Sequence, residues 1–248
     1  LRVSLDLFLE ATVWGHENNK YPSLLLSEDV YVNQRLAKIY RVPFKGGGFQ
    51  RRKLPNQGRS GVLTHPLMLA SLAYHDNTSP IHRGVFLTRN IVGQSLNPPP
   101  DANLFKDSDF DPNLTMREKV TELTKSKTCM GCHSTINPLG FALENFDGIG
   151  RHRKTENGKP INTKGQLLVD DGRKITLKNA RDIANYAVRD PAAQRAFVKQ
   201  LFEHLTKQPP AAFGPETVEN LRKRWQDRGF WIPHLILDIA ATYALRDS

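Results

Sequence analysis

Apolar positions recur at helical spacing along most of the chain. Leu5, Phe8, Leu9 and Val13 make one stripe near the start, the i, i+3, i+4 period of a helix buried on one side. Ser27 followed by Glu28 and Asp29 has the form of a helix start, a hydroxyl cap with acids in the first turn, and predicts a second helix to about Tyr40. Residues 46–48 and 55–61 read as loops. A helical pair follows over 62–74 and 81–93, with Pro80 suited to the first helical position. Pro98, Pro99 and Pro100 form an extended spacer. Thr115 and Glu118 make a capping box for a helix to about Lys125. Asn137-Pro138 then breaks the chain before a short helix over 138–146. Leu167 to Val169, Asp171-Gly172 and Lys174 to Thr176 suggest a hairpin with a D-G turn. Helical patterns over 179–188, 191–207, 216–229 and from Pro233 onward complete the chain. The class is mainly α with one small β-hairpin.

The 248 residues, 39% hydrophobic and 24% charged, exclude a disordered chain and an integral membrane protein. The best apolar stretch, 230–245, is interrupted by Pro233, His234 and Asp238, short of the roughly 18 apolar residues a span requires. The chain opens at Leu1 without a basic-then-apolar leader, so an export signal is expected upstream or already removed. Lysine and arginine number 35 against 25 acids, a net charge of +10, which suits nucleic acid, an anionic surface or an acidic protein partner. The densest cluster, 45–53, lies in a Gly-rich stretch that reads as a flexible loop and not as a groove-reading helix, so no nucleic-acid partner is expected.

Two cysteines exclude a disulfide scaffold, and their spacing carries the chemistry. Cys129, Met130, Gly131, Cys132 and His133 spell C-x-x-C-H, the c-type haem attachment pattern. Each thiol can add across one haem vinyl group, and the adjacent histidine is then delivered to the iron as its proximal ligand. A thioredoxin-like redox pair expects a long helix after the motif, where Asn137-Pro138 stands. A zinc site expects a second pair of ligands, and there is no third cysteine. The cofactor expected is one covalent haem c. Because haem is attached covalently outside the cytoplasm in bacteria, a periplasmic or otherwise extracytoplasmic location is expected.

The motif continues into Ile136-Asn-Pro-Leu-Gly-Phe-Ala-Leu-Glu-Asn-Phe-Asp-Gly-Ile-Gly-Arg-His-Arg153. Upstream stand Thr78-Ser-Pro-Ile-His-Arg-Gly-Val-Phe-Leu-Thr-Arg-Asn90 and Thr115-Met-Arg-Glu-Lys-Val120, and downstream Phe197-Val-Lys-Gln-Leu-Phe-Glu-His-Leu-Thr-Lys-Gln-Pro209. Together these resemble the cytochrome c-like multi-module proteins, mostly of unknown function, of planctomycetes and related bacteria. The resemblance implies three parts: 1–57 as the end of an upstream helical module, 58–155 as the haem c module, and 156–248 as a C-terminal helical module packed on it. It also implies further modules before Leu1. At position 152 that family tends to carry an aromatic residue, and here His152 stands.

The function expected is single-electron transfer within a periplasmic oxidoreductase assembly, with an acidic redox partner or sister subunits as partners. The alternatives are a haem enzyme subunit with an open iron, peroxidase- or dehydrogenase-like, and a packing subunit whose haem holds the fold. The sixth iron position separates the first two. No methionine follows His133, since the three are Met68, Met116 and Met130. Candidates for the distal side are His204, His65, His75, His82, Met68 and Met116. His204 stands out because Phe197, Leu201, Phe202 and Leu205 give its helix an apolar face. Arg151 and Arg153 are candidates to pair with the haem propionates. Asp107, Asp109, Asp111, Asn113 and Glu118 fall at calcium-loop spacing, but Pro112 stands where that loop requires glycine, so a solvated acidic loop is the better reading.

Overall fold

The computed structural model describes residues 1–15, 20–54, 57–96 and 106–245. Among them are eleven α-helices and three two-stranded antiparallel sheets. The molecule is therefore mainly α, with two small sheets more than the sequence pattern indicated. The expected spacer at Pro98 to Pro100 lies outside the described residues.

Helix α1 (Arg2–Leu9) runs into a π-helical turn over Glu10–Trp14, and α2 (Tyr21–Leu26) follows. The helix expected from Ser27 does not form there. Ser27 Oγ does accept the Asp29 N–H at 3.1 Å, but the chain beyond is extended. Strand β1 (Asp29–Val32) pairs with β2 (Gln50–Lys53), Asp29 opposite Lys53 and Val32 opposite Gln50. The reason is the alternation of Val30 and Val32, β-branched residues that favour a pleated surface. Both are buried in a small core with Leu36, Tyr40 and Leu54. The helix begins later, as α3 (Gln34–Tyr40), where the Asn33 side chain accepts the Leu36 N–H at 3.0 Å. The basic 45–53 stretch thus supplies a strand, and Arg51 on it pairs with Asp29 at 2.8 Å.

A 3-10 turn over Gly61–Thr64 leads to α4 (Pro66–Ser71), and α5 (Pro80–Leu87) continues into a second π-helical turn, Thr88–Val92. Proline cannot sit inside a helix without losing a hydrogen bond, so the 62–74 pattern divides at Pro66. Helix α6 (Met116–Leu123) starts at Thr115 with both halves of the capping box in place. Helix α7 (Lys127–Phe141) then carries the C-x-x-C-H residues and runs on through Pro138. That overturns the expected break at Asn137-Pro138. Proline leaves one carbonyl of the preceding turn without its helical donor, and packing on both sides offsets the loss. A Cβ on Gly84 of α5 would overlap the Ile136 carbonyl, and one on Gly140 would overlap the Pro80 carbonyl. Glycine at both places lets the two helices interlock backbone to backbone.

A short hairpin, β3 (Thr155–Glu156) with β4 (Lys159–Pro160), turns at Asn157-Gly158, both with positive φ. The expected hairpin follows as β5 (Gly165–Leu168) and β6 (Lys174–Leu177). The tail is α8 (Ala180–Arg189), α9 (Pro191–Thr206), α10 (Thr217–Asp227) and α11 (Ile232–Ala244), close to the sequence expectation. One core runs from Tyr21 and Leu25 through Leu87, Leu139, Leu143 and Phe146 to Phe202, Trp225 and Ile239.

Two buried arginines tie the motif's surroundings together. Arg59 donates to the Thr64 and Gly150 carbonyls at 2.9 and 2.8 Å, its guanidinium lying 4.6 Å from the Tyr40 ring and 4.7 Å from that of Phe146. Arg83 of α5 is fully buried and donates to Glu144 Oε1 at 3.1 Å and to the carbonyls of Leu143, Phe146 and Asp147. Glu144 is 1% exposed, and its second oxygen accepts from Thr78 Oγ1 at 2.7 Å and Arg153 at 3.0 Å. Burial pushes the Glu144 carboxyl up and the Arg83 guanidinium down, each opposed by the other's charge.

Candidate cofactor-attachment site

Cys129, Cys132 and His133 all lie in the first half of α7. Ser126 caps this helix by accepting the Cys129 N–H at 3.2 Å. Residues three and four apart on a helix share a face, so the two thiols and the imidazole project to one side. Both cysteines and His133 are half-buried, and no disulfide joins the thiols. Met130 and Gly131 are exposed between them, and Lys125, Lys127 and Thr128 are exposed just before.

The face continues one turn further to Asn137, which is buried. His133 Nδ1 lies 2.8 Å from Asn137 Oδ1, and Asn137 Nδ2 donates to Thr124 Oγ1 at 2.9 Å. Thr124, itself buried at the end of α6, donates its hydroxyl to the Val120 carbonyl at 2.8 Å. That last bond fixes the others. With its one proton on Val120, the Thr124 oxygen can only accept from Asn137, so the amide nitrogen faces Thr124 and the amide oxygen faces His133. Nδ1 of His133 must then carry the ring proton, which leaves the Nε2 lone pair available to a metal. The donor set fits an iron held by one neutral imidazole beside two thioethers.

Arg153 divides its guanidinium between Glu144 and Glu156, at 3.0 Å each, and Arg151 pairs with Asp147 at 2.6 Å. These internal carboxylates occupy the arginines that the sequence offers to haem propionates. His204 is exposed on α9, whose buried side carries Ala193, Gln194, Val198 and Phe202. That helix packs on the Thr88–Val92 turn, α8, α10 and α11, while α7 packs on α5, α6, β5 and the same Thr88–Val92 turn, which stands between the two helices. His75 is exposed against Asp76, and His82 is exposed beside Tyr74. Met68 packs against the main core, and Met116 is buried at the start of α6. In the acidic loop Asp107 receives Lys119 at 2.8 Å and Glu118 receives Lys159 at 2.9 Å. His152 bridges to Phe146, its ring edge-on at 5.6 Å.

His65 is buried and doubly engaged. Its Nδ1 accepts the Leu67 N–H at 3.2 Å, so the proton lies on Nε2, 3.3 Å from Ser4 Oγ. Burial, reinforced by nearby positive charge including Arg59, pushes its pKa down from 6.5 to about 4. The unfolded chain therefore binds more protons than the folded one between those values, and stability falls as pH drops through the window. The expected loss from pH 7 to pH 4 is on the order of 2–3 kcal/mol. Urea titrations of the wild type and of His65→Asn at both pH values check this. A slope that His65→Asn leaves unchanged means that other groups set it.

Sequence reasoning singled out Cys129, Cys132 and His133, which the structure places on one helix face, but missed Asn137 and Thr124 beside them. The signal was present in the i+4 spacing from His133 to Asn137, obscured by the proline that follows. Residues 59–156 match the family model PSCyt3, described as a protein of unknown function (DUF1588), a cytochrome-like planctomycete domain. The match contains α7, Arg59, Arg83, Glu144 and Thr124, and covers less than half of the chain. No curated protein and no solved structure matches the chain.

Proposed function

We propose that the chain is a c-type cytochrome module that carries one covalent haem and passes single electrons within an extracytoplasmic oxidoreductase assembly. The observation that carries this reading is the hydrogen-bond chain that joins His133 to Asn137 and Thr124. An imidazole with its Nδ1 proton held by Asn137, on the same helix face as two thiols at the attachment spacing, is prepared to bind iron through Nε2. Cys129 and Cys132 supply the anchors: each S–H adds across one vinyl group, sulfur to one carbon and hydrogen to the other, with no leaving group and no change of oxidation state. When bound, the haem supplies an iron that cycles between ferric and ferrous. The exposed Met130 and Gly131, with Lys125 and Lys127 nearby, leave the outer edge of the site open to a partner. A net charge of +10 suits an acidic one.

The test is intact mass together with ligand binding. Since addition loses no atoms, the chain matured in a periplasm is expected to exceed its sequence mass by one haem, about 616 Da. The reduced chain is then titrated with carbon monoxide. Weak binding supports electron transfer, whereas tight binding supports the second reading, an enzyme with an open iron. The positions of His65, engaged in the fold, and of His75, His82 and His204, exposed on other elements, favour that second reading. A His204→Ala chain that gains carbon monoxide binding identifies His204 as the distal ligand. Native chains without the added mass overturn both.

A further inference from the structure

We propose that Asn137, held in place by Thr124, is a positioning residue that sets the orientation and electron richness of His133 toward the iron. This rests on the haem reading above and goes beyond it by assigning a tuning role to a side chain outside the attachment motif.

The hydrogen-bond chain from Val120 through Thr124 and Asn137 to His133 has one consistent direction. An amide can be turned over, and the turned form would direct its N–H₂ at His133. The imidazole would then have to offer its Nδ1 lone pair and carry its proton on Nε2, the nitrogen needed for coordination. Thr124 opposes that turn because its hydroxyl is donated along α6 to Val120, leaving only an acceptor for Asn137. Asn137 and Thr124 are 7% and 2% exposed, so no bulk water competes for these bonds. The pair also joins two elements: Thr124 closes α6, and Asn137 lies in α7 beside the helix-internal Pro138. The imidazole plane is therefore fixed by a contact that survives only while α6 and α7 stay packed.

An acceptor on Nδ1–H draws the proton outward and raises the basicity of Nε2. A more basic ligand stabilises the ferric form over the ferrous one, so this bond is expected to lower the reduction potential. The strength of the acceptor at 137 then governs the potential in a signed way. Asn137→Leu removes the acceptor and is expected to raise the potential by about 59 mV, tenfold in the one-electron equilibrium. Asn137→Asp supplies a charged, stronger acceptor and is expected to move it the opposite way. Thr124→Val keeps the shape but loses the oxygen that orients the amide, and is expected to shift the potential in the same direction as Asn137→Leu. Thr124→Ser restores it.

The experiment is a redox titration of the haem-loaded wild type and the four variants, with intact mass confirming one haem on each. Opposite shifts for Asn137→Asp and Asn137→Leu, with Thr124→Ser at the wild-type value, support the proposal, since a merely structural role has no reason to change sign. If Asn137→Leu fails to fold, Asn137→Asp and Thr124→Val carry the same test. Potentials that stay within twofold of the wild-type equilibrium, or that shift in one direction only, overturn it while leaving the haem reading intact. A wild type without covalent haem overturns the haem reading itself, and this proposal with it.

Discussion

A chain with both Cys129→Ser and Cys132→Ser is expected to mature with no covalent haem at all, and each single variant with at most one weak thioether. Serine matches cysteine in shape, but its hydroxyl does not add to a vinyl group under the conditions that suffice for a thiol. The fold should survive the change, because both positions lie near the N-terminal end of α7, where neither side chain is fully buried and the Ser126 cap is independent of them. Helical circular dichroism at the wild-type level, with no haem stain on a denaturing gel, is the expected pair of results. His133→Ala separates the roles further. It keeps the thiols, so the haem mass should remain, while the spectrum reports loss of the proximal nitrogen. A double-serine chain that retains haem through acid-acetone extraction would sink the assignment of these thiols as anchors.

The largest stability effect is expected at Glu144. Its carboxylate is the charge partner of Arg83, and both are shut away from solvent. Removing one member of a buried pair leaves the other charge uncompensated, at a cost of about 3–5 kcal/mol. For a chain of this length, Glu144→Ala is expected to lower Tm by roughly 10 °C. Glu144→Gln retains one acceptor oxygen, enough for Arg83 while its amide nitrogen faces Thr78, and should lose less. Differential scanning calorimetry of the two variants decides the matter. A loss below about 1 kcal/mol for Glu144→Ala would mean that the carbonyls of Leu143, Phe146 and Asp147 hold Arg83 without help.

Local chemistry was legible in the sequence where it closed within a few residues. Thr115 and Glu118 cap α6 as their spacing requires, Asp171-Gly172 turns a hairpin, and the tail helices fall close to their expected limits. The errors arose where a partner distant in sequence decided the outcome. Ser27, Glu28 and Asp29 look like a helix start, but β2, some twenty residues on, draws Val30 and Val32 into a sheet. Asn157-Gly158 was a turn signal hidden in a polar stretch without apolar alternation. At the site, C-x-x-C-H was plain, whereas the relay beyond it was not. Asn137-Pro138 reads as a stop, yet α7 runs on through it, packed closely on α5 at Gly84 and Gly140, and the i+4 spacing keeps Asn137 on the face that His133 occupies.

The main core has a bearing on how such a segment can be inherited. Leu69, Leu87, Leu139, Leu143 and Phe146 belong to residues 59–156, and they share one continuous interior with Tyr21 and Leu25 before that stretch and with Ile183, Phe202, Trp225 and Ile239 after it. Moved into another gene by recombination, the matched stretch alone would arrive with this apolar surface uncovered. It would invite aggregation before any haem could be joined to it. The heritable unit is then α7 together with the tail that shelters it. Substitutions at the interior positions of α8 to α11 are accordingly constrained by a helix outside their own stretch, α7, whose Leu139 lies in the same core.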